Sequence, residues 1–201
     1  MIRKDLELIS EWIQPNTSVL DLGCGDGTLL RHLIDTKNIK GYGIEIAPEN
    51  IAIAIAKGIN VIQADLDKGL ADFKHHAFDY VVMTQSLQAM YFPDQLLKEM
   101  LRVGKEAITS FPNMGHWRSR LQLTLFGHMP VTQALPHQWY NTPNIHLCTV
   151  QDFEKLCRTQ NIKILQRAGV NNHYQATWGA RLAPNLLGMI AIYRFQQQKL
   201  Q

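Results

Sequence analysis

Asp21-x-Gly23-x-Gly25-x-Gly27 is the stretch of this sequence whose residue types and spacing best suit chemistry. The apolar run Val19-Leu20-Asp21-Leu22 reads as a buried parallel strand, and Thr28-Leu29-Leu30-Arg31-His32-Leu33 resumes at helical spacing. A strand that passes through a glycine loop into a helix brings bare backbone against a nucleotide-like ligand. Glycine supplies the close approach and tolerates the positive φ of such a turn. The dinucleotide fingerprint places glycine at its first, third and sixth positions, but counted from Gly23 the sixth residue here is Thr28. The helix N-terminus and loop amides favour an anion, whereas a carboxylate just before them repels a pyrophosphate and attracts a cation. An adenosine that carries an ammonium and a sulfonium fits better, which means S-adenosylmethionine; its demethylated product S-adenosylhomocysteine keeps the ammonium alone. Asp21, Gly23, Cys24, Gly25 and Gly27 are then cofactor contacts. The competing reading is a strand-to-helix turn with incidental glycines, which the spaced acids downstream disfavour.

Gly41-Tyr42-Gly43-Ile44-Glu45-Ile46 reads as a second strand with Glu45 near its C-terminal end. Glu45 stands about twenty residues past the glycine loop, where an acid reaches both ribose hydroxyls, and Ile46 lies beside it. Asn60-Val61-Ile62-Gln63-Ala64 is a third strand, followed by Asp65-Leu66-Asp67. Asp65 either accepts a bond from the adenine amine, with Leu66 alongside, or caps a short following helix. Phe78 to Met83 is a fourth strand that ends in Thr84-Gln85-Ser86-Leu87-Gln88, the substrate side of such folds. No Asp/Asn-Pro-Pro-Tyr follows it, as amino methylation of a base leads one to expect, and no Pro-Cys nucleophile is present. Gln85, also a candidate cofactor contact, and Gln88 can orient a polar substrate but cannot act as bases; holding loop backbone is their alternative role.

Several elements must position these groups. Ile2, Leu6, Ile9 and Ile13, with Trp12 beside them, recur at helical spacing before Pro15. Ile51-Ala52-Ile53-Ala54-Ile55-Ala56 alternates as a strand does, but Pro48, Gly58 and alanine's propensity make it a helix. Pro93 to Val103 reads as a helix stopped by Gly104, and Ala107 to Phe111 as a fifth strand ending at Pro112-Asn113. Thr149-Val150-Gln151-Asp152 opens a capped helix, and residues 162–165 and 189–193 supply the last strands. The alternation predicts an α/β fold, a doubly wound and mostly parallel sheet with a late antiparallel strand, in one domain over residues 1–201.

Residues 114–148 differ in kind. They hold Trp117, Trp139, Tyr140, three prolines, and His116, His128, His137 and His146. Such a segment forms a lid or a partner-docking insertion, with Leu121, Leu123, Leu125 and Phe126 as an apolar face. Gln88, Asn113, Trp117, Arg118 and Arg120 are the candidates for substrate or partner contacts, the arginines either meeting a carboxylate or standing solvated. If a base is used, His116 and His146 are the candidates, each with a structural role as the alternative. The histidines lack the spacing of a metal site, so no metal is expected.

The 201 residues, 46% apolar and 18% charged, suit one soluble globular core. A net charge of +3 with scattered Lys and Arg gives no support to a nucleic-acid partner. Cys24, Cys148 and Cys157 are odd in number and form no C-x-x-C pair, which argues against a disulfide framework and for a reducing cytosol. The N-terminus mixes both charges without a signal-peptide core, and no stretch approaches a membrane span; a cytoplasmic protein without membrane partners is expected.

Over about residues 15–113, Asp21-x-Gly23-x-Gly25-x-Gly27, Glu45 and Asp65 resemble the class I methyltransferases, which implies their Rossmann-like seven-stranded sheet. Val19 to Gly27, Phe78-Asp79-Tyr80-Val81-Val82 with Gln85-Ser86-Leu87-Gln88-Ala89-Met90, Ser110-Phe111-Pro112-Asn113 with Trp117, and Trp139 to Thr149 resemble the MetW family of methionine biosynthesis proteins. That resemblance covers most of the chain. It implies a protein that works with the homoserine O-acyltransferase MetX to support homoserine acylation, and it brings no methyl acceptor with it. Two function classes stand: a ligand-binding regulatory subunit, and a small-molecule methyltransferase.

Overall fold

The computed structural model describes residues 2–171 and 178–198. Its seven strands are β1 (Ser18–Leu22), β2 (Lys40–Glu45), β3 (Asn60–Gln63), β4 (Phe78–Thr84), β5 (Gly104–Pro112), β6 (Ile162–Val170) and β7 (Ile190–Gln197). They form one sheet in the order β3-β2-β1-β4-β5-β7-β6. The first five run parallel, and β7 lies antiparallel between β5 and β6. The strand order reverses between β1 and β4, so the crevice outside their C-terminal ends is where a ligand belongs in an open α/β sheet. That is the end of β1 from which the glycine loop leaves.

The two-residue period of the strands divides the core. Val19 and Val82 pack under α1 (Lys4–Trp12), α2 (Thr28–Lys37) and Ala54 of α3 (Pro48–Ala56). Leu20, Leu22, Val81 and Met83 pack under α4 (Pro93–Val103) and α6 (Val150–Thr159). Burial on both faces explains why β1 and β4 read as continuous apolar runs. On the α6 side, Phe153 lies 5.0 Å from Phe111 and 4.6 Å from Tyr193, centroid to centroid. Burying a ring of this kind contributes about 1.5–3 kcal/mol.

Residues 51–56 are helical as expected, because Pro48 stands in the first turn of α3 and Gly58 follows it at φ +76°. Only Ala54 of this helix is buried, so its alternating isoleucines do not seek a sheet. Thr149 and Asp152 form the expected capping box of α6. Several boundaries differ from expectation, and β5 starts three residues early, at Gly104. β2 ends at Glu45, which leaves Ile46 outside it and 60% exposed. β6 and β7 run to Val170 and Gln197, their ladder resuming after a register shift between Ile164 and Gln166. Within 114–148 the chain forms α5 (Trp117–Phe126), whose leucines at every second position spread around the helix instead of forming one face. Two short helices, α7 (Trp178–Leu182) and α8 (Pro184–Leu187), precede β7. No helix among the described residues is long and apolar enough to cross a membrane.

Candidate functional site

The glycine loop adopts the conformation its sequence requires. Gly23, Gly25 and Gly27 have φ of +68°, +54° and +73°. The amides of Gly23 and Cys24 both donate to the Ile44 carbonyl, at 2.8 and 3.0 Å, which ties the loop to β2. A Cβ on Gly23 would come within 3.0 Å of Ser86 Oγ, and one on Gly27 within 3.0 Å of Ile59 Cγ1. A Cβ on Gly25 would meet nothing within 4 Å. The outer glycines are therefore fixed by packing as well as by φ, while the middle one faces open space that a ligand can fill. The Cys24 side chain packs over Gly43, and burial, aided by Asp21 and Glu45, pushes its thiol up to about 12. Such a thiol packs and does not react.

Two acids brace this loop. Glu45 is buried; its Oε2 accepts from Gly25 N at 2.9 Å, and its Oε1 from Ile46 N at 2.8 Å and Ala47 N at 2.9 Å. A carboxylate has about four lone-pair sites, and three of them are taken by these amides. Asp21 is 1% exposed, and its Oδ1 has no partner. Burial first, and the Glu45 charge second, raise its pKa to about 8. A buried carboxyl without a partner is costly, and a cation is the group that lowers that cost. A cavity of about 360 Å³ opens here, lined by residues that include Arg3, Asp21, Gly25, Thr28, Thr84 and Gln85. Its size is at the lower end of small-molecule sites. Glu45, Ile46, Asp65 and Leu66 stand along the neighbouring strand ends, outside its lining. A larger cavity of about 630 Å³, toward β6 and β7, includes none of the glycine-loop residues.

The wall opposite the loop comes from α1 and the end of β4. Arg3 pairs with the fully buried Asp5 through two bonds of 3.1 Å, and Gln85 Nε2 donates to Asp5 Oδ2 at 3.2 Å. Sequence reasoning missed Arg3, Asp5 and Thr84; the available signal was that Asp5 falls on the apolar stripe of Ile2, Leu6 and Ile9. Gln85 has a φ of +52°, and its amide donates to the Ser110 carbonyl at 2.9 Å. A left-handed glutamine at a cavity edge stores local strain. Gln88 is buried and donates from Nε2 to the Gln85 carbonyl at 2.7 Å. Its own carbonyl accepts from Ile145 N at 2.8 Å and His146 N at 2.9 Å, which joins the end of β4 to residues 145–146.

Other expected site residues have structural work. Asp65 Oδ1 accepts from Asp67 N at 3.1 Å and so caps the short 3₁₀ turn at Leu66–Lys68. Asn113, expected to face a substrate or partner, is buried and saturated by backbone. Its Nδ2 donates to the carbonyls of Gly188 at 2.7 Å and Asn185 at 3.1 Å, and its Oδ1 accepts from Gly115 N at 2.9 Å and Val150 N at 3.2 Å. His116 caps α5, accepting Arg118 N on Nδ1 at 3.3 Å, and burial lowers its pKa. His146 is exposed, with Nε2 3.2 Å from the Tyr91 carbonyl. Neither imidazole lines the cavity that holds Asp21. Arg118 lies over the Trp117 ring at 5.3 Å, and Arg120 Nε donates to the Gly115 carbonyl at 2.6 Å, so both arginines have local partners other than a carboxylate. Among the described residues no group of His, Cys, Asp and Glu is placed to hold a metal ion.

Comparison with known proteins agrees with this geometry. The sequence profile of the family described as "Methionine biosynthesis protein MetW" matches residues 3–195. The chain is 35% identical over 207 aligned residues to the "Bifunctional methionine biosynthesis protein MetXA/MetW" of Rhodopirellula baltica, covering 96% of this chain and 33% of that protein. It therefore spans about a third of that relative's length. Among solved structures, an S-adenosylmethionine-dependent methyltransferase from Mesorhizobium loti superposes with a TM-score of 0.71 at 16% identity, covering 96% of this chain and 98% of that one. The Haemonchus contortus phosphoethanolamine N-methyltransferase 2, in complex with S-adenosylmethionine, gives 0.72 at 11% identity, over 98% of this chain and 52% of that one. At such identities the likeness is one of fold.

Proposed function

This chain belongs to the MetW family of methionine biosynthesis proteins, and from that premise we propose that it is a ligand-binding subunit of homoserine acylation. It binds S-adenosylmethionine or S-adenosylhomocysteine at the glycine loop and acts with the homoserine O-acyltransferase MetX. The observation that carries the ligand assignment is the buried, unpartnered Oδ1 of Asp21 beside a cavity of about 360 Å³. Both ligands carry an α-ammonium, the cation this carboxyl lacks. Gly25 gives the ligand close access to backbone, and Glu45 keeps acceptor capacity for a ribose hydroxyl. The partner assignment is supported by the relative whose name joins MetXA and MetW in one protein, since fusion raises the effective concentration of parts that act together. A ligand regulates such a complex only through different affinities for two of its states. Co-purification, with acyltransferase activity assayed with and without this chain and the ligand, tests the reading. A complex whose activity depends on the chain is expected; no complex and unchanged activity contradict it.

Methyl transfer to a small acceptor is a second reading, supported by the cavity reaching Thr84 and Gln85 at the end of β4. S-adenosylmethionine supplies an activated methyl group whose leaving thioether takes no proton, so an already anionic acceptor needs no base. Methyl-labelled S-adenosylmethionine incubated with the chain and the metabolites of homoserine acylation would pass label to an acceptor only in this reading.

A further inference from the structure

Residues 114–148 contain no aspartate, glutamate or lysine; Arg118 and Arg120 are their only Lys, Arg, Asp or Glu residues. More than half of the large apolar side chains exposed among the described residues fall between positions 117 and 147. Trp139 and Tyr140 are 73% and 70% exposed and pack edge to face on each other at 5.6 Å. Along α5 only Ser119 is buried. Between the end of that helix and the following loop lies an open hollow of about 520 Å³, lined by Phe126, Met129, Val131 and Trp139 among others. A surface rich in Trp, Tyr, Phe, Met and Arg and poor in Lys, Glu and Asp has the composition of an interface centre. Exposed apolar residues gathered around one hollow, as Phe126, Met129, Val131 and Trp139 are, mark interaction sites.

Hydrogen bonds hold this surface in place. Gln122 and Val131 exchange two bonds, of 3.1 and 3.3 Å, across the hollow. Met114 N donates to the Cys148 carbonyl at 3.0 Å and closes the base of the segment, while Gln88 holds residues 145 and 146. A partner therefore meets a preorganised face, which reduces the ordering cost of binding.

Charge decides between occupants. A second copy, packed through a two-fold axis, would set this face against itself. Four arginines, Arg118 and Arg120 of each copy, would then share one interface with no carboxylate of the segment to answer them, an unfavourable burial of like charge. A different protein that offers acids around an apolar centre answers them. We infer that the face formed by α5 and residues 127–147 is where the acyltransferase docks, with Phe126, Trp139 and Tyr140 in its apolar centre and Arg118 against acids of that partner. This rests on the partner assignment made above, and continuity of the two parts in the Rhodopirellula baltica relative favours it over other proteins.

The test is calorimetric titration of the purified acyltransferase into this chain, as wild type, as the double variant Trp139→Ser/Tyr140→Ser, and as Arg118→Glu. Light scattering on each protein alone reports self-association. The wild type is expected to bind. The double variant should bind at least about tenfold more weakly, since exposed aromatic pairs of this kind are typical interface anchors. Arg118→Glu should weaken binding more at low salt than at high salt. Unchanged S-adenosylmethionine affinity in the variants shows that they fold, and Arg118→Glu keeps the test decisive if the double variant does not. Wild-type binding that both variants retain overturns the docking face and leaves the partner assignment standing. No binding by the wild type overturns the partner assignment and the inference resting on it. A wild-type dimer that the variants abolish would place a second copy on this face and overturn the inference.

Discussion

Glu45 Oε2 accepts the backbone N–H of Gly25 at 2.9 Å, so the acid that ends β2 and the middle glycine of the loop form one unit before a ligand arrives. The remaining oxygen of Glu45 holds the next two amides, those of Ile46 and Ala47. Because these bonds already fix the loop, less ordering is left for binding to bring about. Asp21, on the strand before the loop, is the complementary case, a buried acid with an oxygen that nothing in the fold satisfies.

Glu45→Gln is nearly isosteric, but its NH2 cannot accept a backbone N–H. Whichever way the amide turns, at least one loop bond is lost. The expected cost is about 1–3 kcal/mol of stability, with weaker S-adenosylmethionine binding alongside. Urea unfolding and calorimetry measure the two effects, and a variant unchanged in both contradicts the bracing role.

Asp21 sets a pH dependence whose sign follows from its pKa of about 8, against an ordinary 3.8. The folded, ligand-free protein keeps a proton that the unfolded chain releases above its lower pKa. Stability therefore falls as pH rises between about 4 and 8 and levels off above that. Asp21→Asn removes this loss and is expected to be the more stable protein at pH 8, by an amount on the order of a few kcal/mol. A ligand ammonium favours the carboxylate, so below pH 8 binding releases a proton. Affinity should rise from pH 6 toward 8 by up to about tenfold per unit, and the Asn variant should lack this rise. Unfolding curves and calorimetry in buffers of different ionisation heat check both statements.

Asn113→Ala removes bonds to Gly188, Asn185, Gly115 and Val150, leaving their backbone groups without the partner the fold gives them. A loss of about 2–4 kcal/mol is expected from so connected a buried group. The folded fraction should bind S-adenosylmethionine as the wild type does. A loss of affinity without a loss of stability would return Asn113 to the ligand site.

Gln88→Met keeps side-chain length but removes the bond to Gln85, which lines the cavity, while the backbone bonds from Ile145 and His146 remain available. Contiguity alone does not establish coupling. The measurement is the factor by which the ligand changes affinity for the acyltransferase, expected to move toward one in the variant. An unchanged factor would show that Gln88 does not carry the coupling.

The parts of this fold legible in the sequence were those set by local rules. β1, the glycine loop and α2 follow from an apolar run, three glycines that need positive φ, and helical spacing. α3 was recovered despite its strand-like alternation because Pro48 and Gly58 mark its ends. The parts that stayed hidden depend on long-range contacts. Asn113 serves α8 and the N-terminus of α6, more than thirty residues away in each case. Asp5 reaches Gln85 across 80 positions, and no local pattern places a buried acid against the end of β4. At Asp65 the same local sequence serves a cap or a ligand contact, and the cap bond occupies one of its two oxygens, Oδ1.

Titration of S-adenosylmethionine and of 5′-methylthioadenosine into the wild type and Asp21→Asn at pH 8, followed by calorimetry, tests the central claim most directly. The wild type is expected to bind S-adenosylmethionine at one site. Asp21→Asn should weaken that binding at least about tenfold, while 5′-methylthioadenosine, which lacks the amino-acid end, should not distinguish the two proteins. No saturable binding to the wild type, or equal S-adenosylmethionine affinity in both proteins, would contradict the account.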